Sequence, residues 1–361
     1  MKRIGLAGMA SLLLFLCSCS LGGGARLSPA PTGDEVIAES PDVSQTPAVQ
    51  TGTNPLTGLP MEKEEVHNRP IAVMLNNIKV ALPQCGVSKA DLIYEVVAEG
   101  GITRMLGVFQ NVDGVGNIGT VRSTRLYYLD LVQGLDAVLL HAGGSPEAYD
   151  AIKSRKVTAL DCVRGSYMNS LFWRDQERAK RAGYEHSVFT SGETIQSTFA
   201  TLNIRKTHET GYTYPVLFSD DGTPPEGKEA QTISVKFSNY KTGVFTYDPS
   251  RGEYLVSQYG NAYVDGNTNQ QVSVENVLVL YTSISNIPGD TAGRMRVTLT
   301  GSGTGLYACN GKAKAIRWSK ANPSSPFLYT YEDGTSVAFG KGKSYINIVS
   351  KSAAVSVSSE N

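Results

Sequence analysis

The sequence has no excess of charge of either sign. Its 361 residues include 33 Lys and Arg against 33 Asp and Glu. A chain without net charge has no general electrostatic attraction to nucleic acid or to an anionic lipid surface. We therefore expect no nucleic-acid partner, and any electrostatic binding must come from a local cluster of charged side chains.

Recognisable metal-ligand patterns are also absent. The spacing of histidine, cysteine and carboxylate residues includes no HExxH motif and no zinc-finger pattern. The four histidines are far apart along the chain: His67, His141, His186 and His208. The sequence predicts neither a metal nor another cofactor.

Cysteines are too few for a disulfide framework. Beyond the N-terminal segment there are three, Cys85, Cys162 and Cys309. An odd number in an exported protein leaves at least one unpaired or paired between molecules. A Cys85–Cys162 bridge is one alternative, and packed free thiols are the other.

A long apolar run is present only at the N terminus. Segment 4–16 follows two basic residues and is too short to span a bilayer permanently. The next residues include LCSC at 16–19, which resembles the lipobox of bacterial lipoproteins, with a branched residue three positions before the cysteine and a small residue just before it. We predict a signal peptide over residues 1–18 and a mature N terminus at Cys19, carrying diacylglycerol on its sulfur and palmitate as an acyl group. Insertion of this lipid into the bilayer would anchor the protein at the extracytoplasmic face of the cell membrane. The alternative is that segment 1–18 is an ordinary secretory signal.

Aromatic residues are missing from segment 20–53, which is rich in Gly, Ser, Thr and Pro. Such a segment cannot bury enough apolar surface to offset its chain entropy. Residues 19–53 are therefore predicted to be a disordered tether.

Segment 54–223 has the pattern of an α/β domain with a mixed sheet and flanking helices. Continuous apolar runs are typical of strands buried on both faces, and a 3.6-residue apolar period indicates helices. The predicted elements are strands at 70–75, 92–98, 105–110 and 136–140, with helices at 123–135, from 145, at 175–182 and at 193–202.

Segment 224–350 has a different pattern. After the turn-rich Pro224-Pro225, short alternating strands follow one another between Gly, Asn and Asp residues. This pattern predicts a smaller, mostly antiparallel β domain. Residues 351–361 are predicted to be a flexible tail.

The first strand-to-helix transition contains two arginines. Ser123 is predicted to cap the helix, which places Arg122 just outside it and Arg125 in its first turn. Cations at a helix N terminus oppose the helix dipole, and either a bound anion or an acidic side chain of the fold would remove this conflict.

The second transition repeats this arrangement. His141 ends a strand, Gly143-Gly144 form a turn, and Ser145 has the features of a strong N-cap. Ligands of open α/β sheets collect outside the carboxyl ends of strands. We therefore predict an anion pocket whose ligand-binding residues are Arg104, Arg122, Ser123, Arg125, His141, Gly143, Gly144 and Ser145.

Acid–base catalysis has its own candidates. His141 or His186 could act as general base, and Glu95 or Glu99 as acid. Four residues apart in a strand, the two glutamates would share a face about 13 Å apart, which is a poor spacing for a glycosidase pair. The same glutamates could instead pair with the arginines as an internal ion network.

Several segments resemble the YerB family of bacterial lipoproteins. They are NRPIAVMLNN, KADLIYEVVAEGGITRMLGVFQ, IGTVRSTR, HAGGSP and GKGKSYINIV, in this order between about residues 54 and 349. The resemblance implies an N-terminal α/β domain and a C-terminal β-rich domain of unknown function. It therefore implies architecture and location but no reaction.

A non-catalytic binding or scaffolding protein of the cell envelope agrees best with these features. Its partner would be a cell-wall component or an envelope protein. The alternative is a hydrolase or transferase that acts on a cell-wall polymer through its His and Glu residues and the arginine cluster.

The lipobox interpretation predicts the behaviour of one variant. Cys19→Ser removes the sulfur that accepts the lipid, so we expect the protein to be released into the medium or to remain unprocessed. Metabolic labelling with a radioactive fatty acid, followed by fractionation, measures both effects. Lipid labelling of the variant at the wild-type level would contradict the assignment of Cys19.

Overall fold

The computed structural model describes residues 50–360. The predicted signal peptide, Cys19 and the tether up to residue 49 lie outside the described residues. The prediction of disorder was wrong for the last positions of the tether, because Thr51–Thr53 form a strand that pairs with Pro60–Glu62. Within residues 50–360, no helix has both the length and the hydrophobicity needed to cross a bilayer.

Helices are few and short, and they precede residue 202. The α-helices are α1 (Leu126–Gly134), α2 (Pro146–Ser154), α3 (Gln176–Ala182) and α4 (Gly192–Thr201). Single 3-10 turns occur at Lys63–Glu65, Lys79–Ala81, Val87–Lys89, Glu99–Gly101 and Tyr184–His186.

Strands make up most of the remaining regular structure. Up to residue 223 they are β1 (Thr51–Thr53), β2 (Pro60–Glu62), β3 (Ile71–Asn76), β4 (Leu92–Val97), β5 (Thr103–Phe109), β6 (Asn117–Gly119), β7 (Val138–His141), β8 (Ala159–Asp161), β9 (Trp173–Arg174), β10 (Val188–Ser191) and β11 (Leu217–Ser219). After residue 223 they are β12 (Lys228–Glu229), β13 (Thr232–Lys236), β14 (Thr242–Asp248), β15 (Glu253–Gln258), β16 (Asn261–Ala262), β17 (Ser273–Val274), β18 (Asn276–Thr282), β19 (Ile284–Asn286), β20 (Met295–Val297), β21 (Gly301–Cys309), β22 (Lys312–Lys320), β23 (Leu328–Thr330), β24 (Ala338–Gly340), β25 (Ser344–Ser350) and β26 (Val355–Ser358).

One 11-stranded sheet runs through both parts of the chain. Its order is β12-β22-β21-β18-β25-β4-β5-β3-β7-β8, and β23 pairs with β22. Strand β25 lies between β18 and β4 and is parallel to both. The parts before and after residue 223 are therefore joined by backbone hydrogen bonds in the middle of this sheet.

Both faces of the large sheet are covered. Alternate residues of β3 point to opposite sides: Val73 belongs to a core shared with the second sheet, and Met74 to a core shared with α1 and α2. The second sheet has the order β16-β15-β14-β13-β26, with β17 on β15. Because each side chain points into one of two apolar layers, the strand sequence is a continuous apolar run, as predicted for 70–75.

A charged pair is buried in the layer between the two sheets. Glu95 of β4 is fully buried, and Lys241, in the turn between β13 and β14, is 1% exposed. Their side chains lie 3.2 Å apart, and the hydroxyls of Thr103 and Tyr345 each donate a 2.5 Å hydrogen bond to the carboxylate. Burial lowers the pKa of Lys241, and the charge of Glu95 opposes this effect.

The expected mixed sheet and flanking helices up to residue 223 are confirmed, as are the mostly antiparallel strands that follow. The end of the chain is different: Val355–Ser358 form β26 on β13, where a flexible tail was predicted. The start of α1 also differs. Its N-cap is Arg125, because the preceding Thr124 forms a bridge with Gly144 and holds the backbone extended.

Of the two alternatives for the cysteines, the structure has free thiols, and no Cys85–Cys162 disulfide is formed. Cys85, Cys162 and Cys309 are free thiols, and the last two are buried. Burial raises the pKa of all three, so the thiolate is disfavoured.

The buried pair predicts a stability difference. Lys241→Met leaves the Glu95 carboxylate buried without its cation, so the free energy of unfolding should fall by about 3–5 kcal/mol. Lys180→Met removes the cation of the exposed Lys180–Glu177 pair and should change it by less than about 1 kcal/mol. Urea unfolding of both variants measures the contrast, and equal effects would contradict a stabilising role for the buried pair.

Candidate anion-binding cleft

Three loops lie side by side at the carboxyl ends of β7 and β8. The Ala142 N–H donates to the carbonyl of Arg122, and the Thr124 N–H to that of Gly143. The Cys162 N–H donates in turn to the carbonyl of His141. The sheet thus places residues 122–124, 141–144 and 162–165 together, at the edge where the sequence predicted a site.

Glu99 holds two of the predicted ligand-binding arginines. Its carboxylate lies 3.3 Å from Arg104 and also contacts Arg125, and both guanidinium groups are buried. Arg104 donates a further hydrogen bond of 3.2 Å to the carbonyl of Ser123. Arg104 and Arg125 are therefore part of an internal ion network with Glu99, which was the alternative to ligand binding in the sequence analysis.

Glu95 and Glu99 do not share a strand face. The chain leaves β4 before Glu99, which lies in the 3-10 turn that joins β4 to β5. Glu95 points into the core, where it contacts Lys241. The two carboxylates therefore belong to separate hydrogen-bond networks.

His141 is 1% exposed. Its Nδ1 donates to the carbonyl of Gly143 at 2.9 Å, and Asp161 is 3.8 Å away. Burial lowers the pKa of His141 despite the opposing charge of Asp161, which favours a neutral ring. Its Nε2 is buried without a hydrogen-bond partner among residues 50–360, so it is not accessible to a substrate.

His186, the second predicted base, is also buried. The side-chain amide of Asn76 contacts its Nδ1 at 2.6 Å, and Glu185 lies 3.6 Å from its Nε2. Burial, followed by the charge of Arg122, lowers the pKa of His186. Within the described part of the chain, no group of three His, Cys, Asp or Glu residues is arranged to hold a metal ion.

An open cleft of about 480 Å³ lies over the three loops. We call it the arginine cleft. Its lining residues are Arg122, Ser123, Ala142, Gly143, Gly144, Tyr149, Val163, Arg164, Arg174, Tyr184, Glu185 and Val188.

Three arginines of this cleft have no carboxylate partner. Among residues 50–360, no carboxylate oxygen lies within 4.0 Å of the guanidinium nitrogens of Arg122, Arg164 or Arg174. Burial, followed by the positive charge of Arg104, lowers the pKa of Arg122; the charge of Glu185 opposes this effect and that of Arg174 adds to it. The cleft therefore concentrates positive charge, which a bound anion would neutralise.

Aromatic rings orient two of these guanidinium groups. The Cζ of Arg164 lies 3.5 Å from the ring centroid of Tyr149, and that of Arg174 lies 3.6 Å from the centroid of Tyr184. A guanidinium stacked on a ring keeps its N–H donors in plane and available at its edges. Arg174 also donates from Nη1 to the carbonyl of Tyr184 at 2.7 Å and to the hydroxyl of Ser187 at 3.2 Å. The remaining N–H groups of Arg174 and those of Arg164 can bind a carboxylate or phosphate without loss of the aromatic contacts.

The Asp161 carboxylate connects two of the loops that line the cleft. Its carboxylate accepts hydrogen bonds from the N–H groups of Gly143, Val163 and Arg164, and from the hydroxyl of Tyr149 at 2.7 Å. Burial works against the ionised carboxylate, but these hydrogen bonds outweigh it and lower the pKa of Asp161. One buried carboxylate thus holds together two of the three loops that carry the cleft, residues 141–144 and 162–165.

Similarity to known proteins identifies the family to which this chain belongs. The family model described as "Protein of unknown function (DUF3048) N-terminal domain" matches residues 56–205, and the corresponding C-terminal domain matches residues 233–346. The chain is 33% identical over 308 residues to "Putative lipoprotein YerB" of Bacillus subtilis (strain 168), covering 84% of this chain and 88% of that protein.

The chain belongs to the YerB family. A crystal structure of the YerB protein from Bacillus subtilis has the same fold, with a TM-score of 0.73 and 30% sequence identity, and the match covers 84% of this chain and 99% of that one.

In this YerB-family chain, the predicted ligand-binding residues divide into two sets. Arg122, Ser123, Gly143 and Gly144 line the arginine cleft. Arg104, Arg125, His141 and Ser145 do not. Arg125 and Ser145 instead line a separate cavity of about 130 Å³ near Arg294 and Arg296.

Sequence reasoning missed several residues of the cleft, among them Tyr149, Arg164, Arg174 and Tyr184. Arg164 follows the three-residue strand β8. Ligands collect outside the carboxyl ends of strands, so Arg164 would have been a candidate, like His141, if the sequence had shown that β8 is a strand. Arg174 lies in the two-residue strand β9, for which the sequence shows no alternating pattern.

The role of Asp161 predicts a pH-dependent effect. Its pKa is lowered in the folded state, so its ionised form stabilises the fold above the ordinary value near pH ~4, and this contribution is lost as the pH falls through the lowered pKa. Asp161→Asn should therefore reduce the free energy of unfolding by about 1.5–3 kcal/mol at neutral pH, and by less at about pH 3.

Urea unfolding at both pH values measures this difference. Asp150→Asn, at an exposed position of α2, is the matched control and should have almost no effect. A deficit of the Asp161 variant that is the same at both pH values would contradict the role of the ionised carboxylate.

Proposed function

We propose that this protein is a lipid-anchored binding protein of the extracytoplasmic face of the cell membrane, and that it holds an anionic component of the cell envelope in the arginine cleft. The lipobox at Cys19 and the similarity to "Putative lipoprotein YerB" of Bacillus subtilis support the anchor. The charge of the cleft supports the ligand class.

The observation that carries the proposal is the convergence, on one open surface, of three guanidinium groups that have no carboxylate partner within 4.0 Å among residues 50–360. Arg122, Arg164 and Arg174 come from three different loops or strands, so they meet only in the folded protein. Like charges held together are unfavourable, and a bound anion converts this repulsion into attraction. Arginine is suited to this role because its planar fork matches carboxylate and phosphate oxygens.

A catalytic role has less support. A general base needs contact with the substrate, but His141 and His186 are buried and do not line the cleft. Glu95 lies in the core between the sheets, and Glu99 is paired with two arginines. Among the described residues, the four candidates of the hydrolase or transferase alternative therefore do not form an acid–base pair that faces the cleft.

Substitutions of the cleft arginines test anion binding. Arg122→Ala, Arg164→Ala and Arg174→Ala each remove charge-assisted hydrogen bonds, so each should weaken the binding of inorganic polyphosphate about tenfold or more. Glu185→Gln removes a carboxylate from the lining of the cleft and should strengthen binding a few-fold. Isothermal titration calorimetry measures the affinities, which should decrease as salt is raised.

Arg317→Ala is the matched control. Arg317 is an exposed arginine of β22, near the opposite end of the large sheet from β7 and β8. Its substitution should leave the affinity unchanged. The proposal fails if the wild-type protein does not bind polyphosphate, or if Arg317→Ala weakens binding as much as the cleft variants do.

A further inference from the structure

The arginine cleft has an apolar component that a simple anion would not use. Tyr184 is 65% exposed and Val163 is 60% exposed, and both line the cleft. They are among the few large hydrophobic side chains of the described residues that are this open to solvent. Exposed apolar surface beside a group of polar donors is typical of a ligand site.

The stacking geometry leaves room for a second partner on Tyr184. The guanidinium of Arg174 lies over one face of its ring, at 3.6 Å from the centroid. Because Tyr184 as a whole is 65% exposed and lines the cleft, it has further surface that a ligand can contact. The face of an aromatic ring carries partial negative charge and attracts the weakly positive C–H groups of a ligand.

A ligand that satisfies both features must have charged groups and flat aliphatic C–H surfaces close together. Inorganic phosphate and polyphosphate have the charge but no C–H surface. A sugar ring presents a face of C–H groups, and a saccharide bearing phosphate or carboxylate groups combines both. Such a ligand can place its anionic groups against Arg122 and Arg164 and its ring against Tyr184.

We propose that the arginine cleft binds an anionic polysaccharide, with a sugar ring packed on Tyr184 and Val163 and its phosphate or carboxylate groups bound by the three arginines. This inference rests on the proposed function and specifies its ligand. The apolar residues select for a carbohydrate, and the arginines select for its charge.

The test compares anions that have sugar rings with one that lacks them. The probes are oligogalacturonate, which carries carboxylates, a phosphate-bearing mannan, and inorganic polyphosphate, and calorimetry measures their affinities. Val163→Ser should weaken the binding of an anionic saccharide about fivefold and leave polyphosphate within about twofold. Tyr184→Ala should affect the saccharides more than polyphosphate, and Tyr184→Phe, which keeps the ring, should bind both as the wild type does.

Arg122→Ala separates this inference from the proposed function, because it should weaken the binding of saccharides and polyphosphate alike. Binding of either charged saccharide with the expected Val163 and Tyr184 effects supports the inference, and the preferred probe identifies phosphate or carboxylate as the anionic group. If Val163→Ser and Tyr184→Ala change saccharide and polyphosphate binding equally, the carbohydrate inference is wrong while anion binding stands. If no probe binds in an Arg122-dependent manner, the proposed function itself is wrong.

Discussion

The parallel pairing of β25 with β4 is the constraint on which the rest of this structure depends. Strand β25 comes from the end of the chain, yet it lies between β18 and β4 and hydrogen-bonds to both. Without β25, strands β18 and β4 would each leave a row of unpaired backbone N–H and C=O groups in the interior of the protein. One buried contact of Glu95 is a consequence, because Tyr345 of β25 donates a hydrogen bond to its carboxylate.

The same sheet determines where the arginine cleft lies. Strands β7 and β8 are parallel neighbours, so the loops that follow them emerge at one edge, and residues 122–124 lie beside the end of β3 at the same edge, where the Arg122 N–H donates to the carbonyl of Met74. Hydrogen bonds then join these loops directly, and Asp161 fixes the last two through the N–H groups of Gly143 and Val163. The cleft is therefore supported by backbone contacts, and its arginines are free to meet a ligand.

Burial divides the arginines of this region into two groups with different roles. Arg104 and Arg125 are removed from water, where an unpaired charge would be costly, and both are neutralised by Glu99. Arg164 is exposed and can remain without a carboxylate because water and Tyr149 surround it. The order of the residues along the chain does not distinguish these groups, since Arg122 and Arg125 are three positions apart.

By itself, the sequence determined the local elements and the family: the apolar run at β3, the strand at β4 and the Ser145 cap of α2 all follow from short-range patterns. It also identified Arg122 and Gly143 as residues at a strand end. Only the tertiary structure decided that Arg164 and Arg174 join them while Arg104 does not. The reason is physical: secondary structure depends on neighbours along the chain, whereas the pairing and exposure of a charge depend on residues brought together by the sheet.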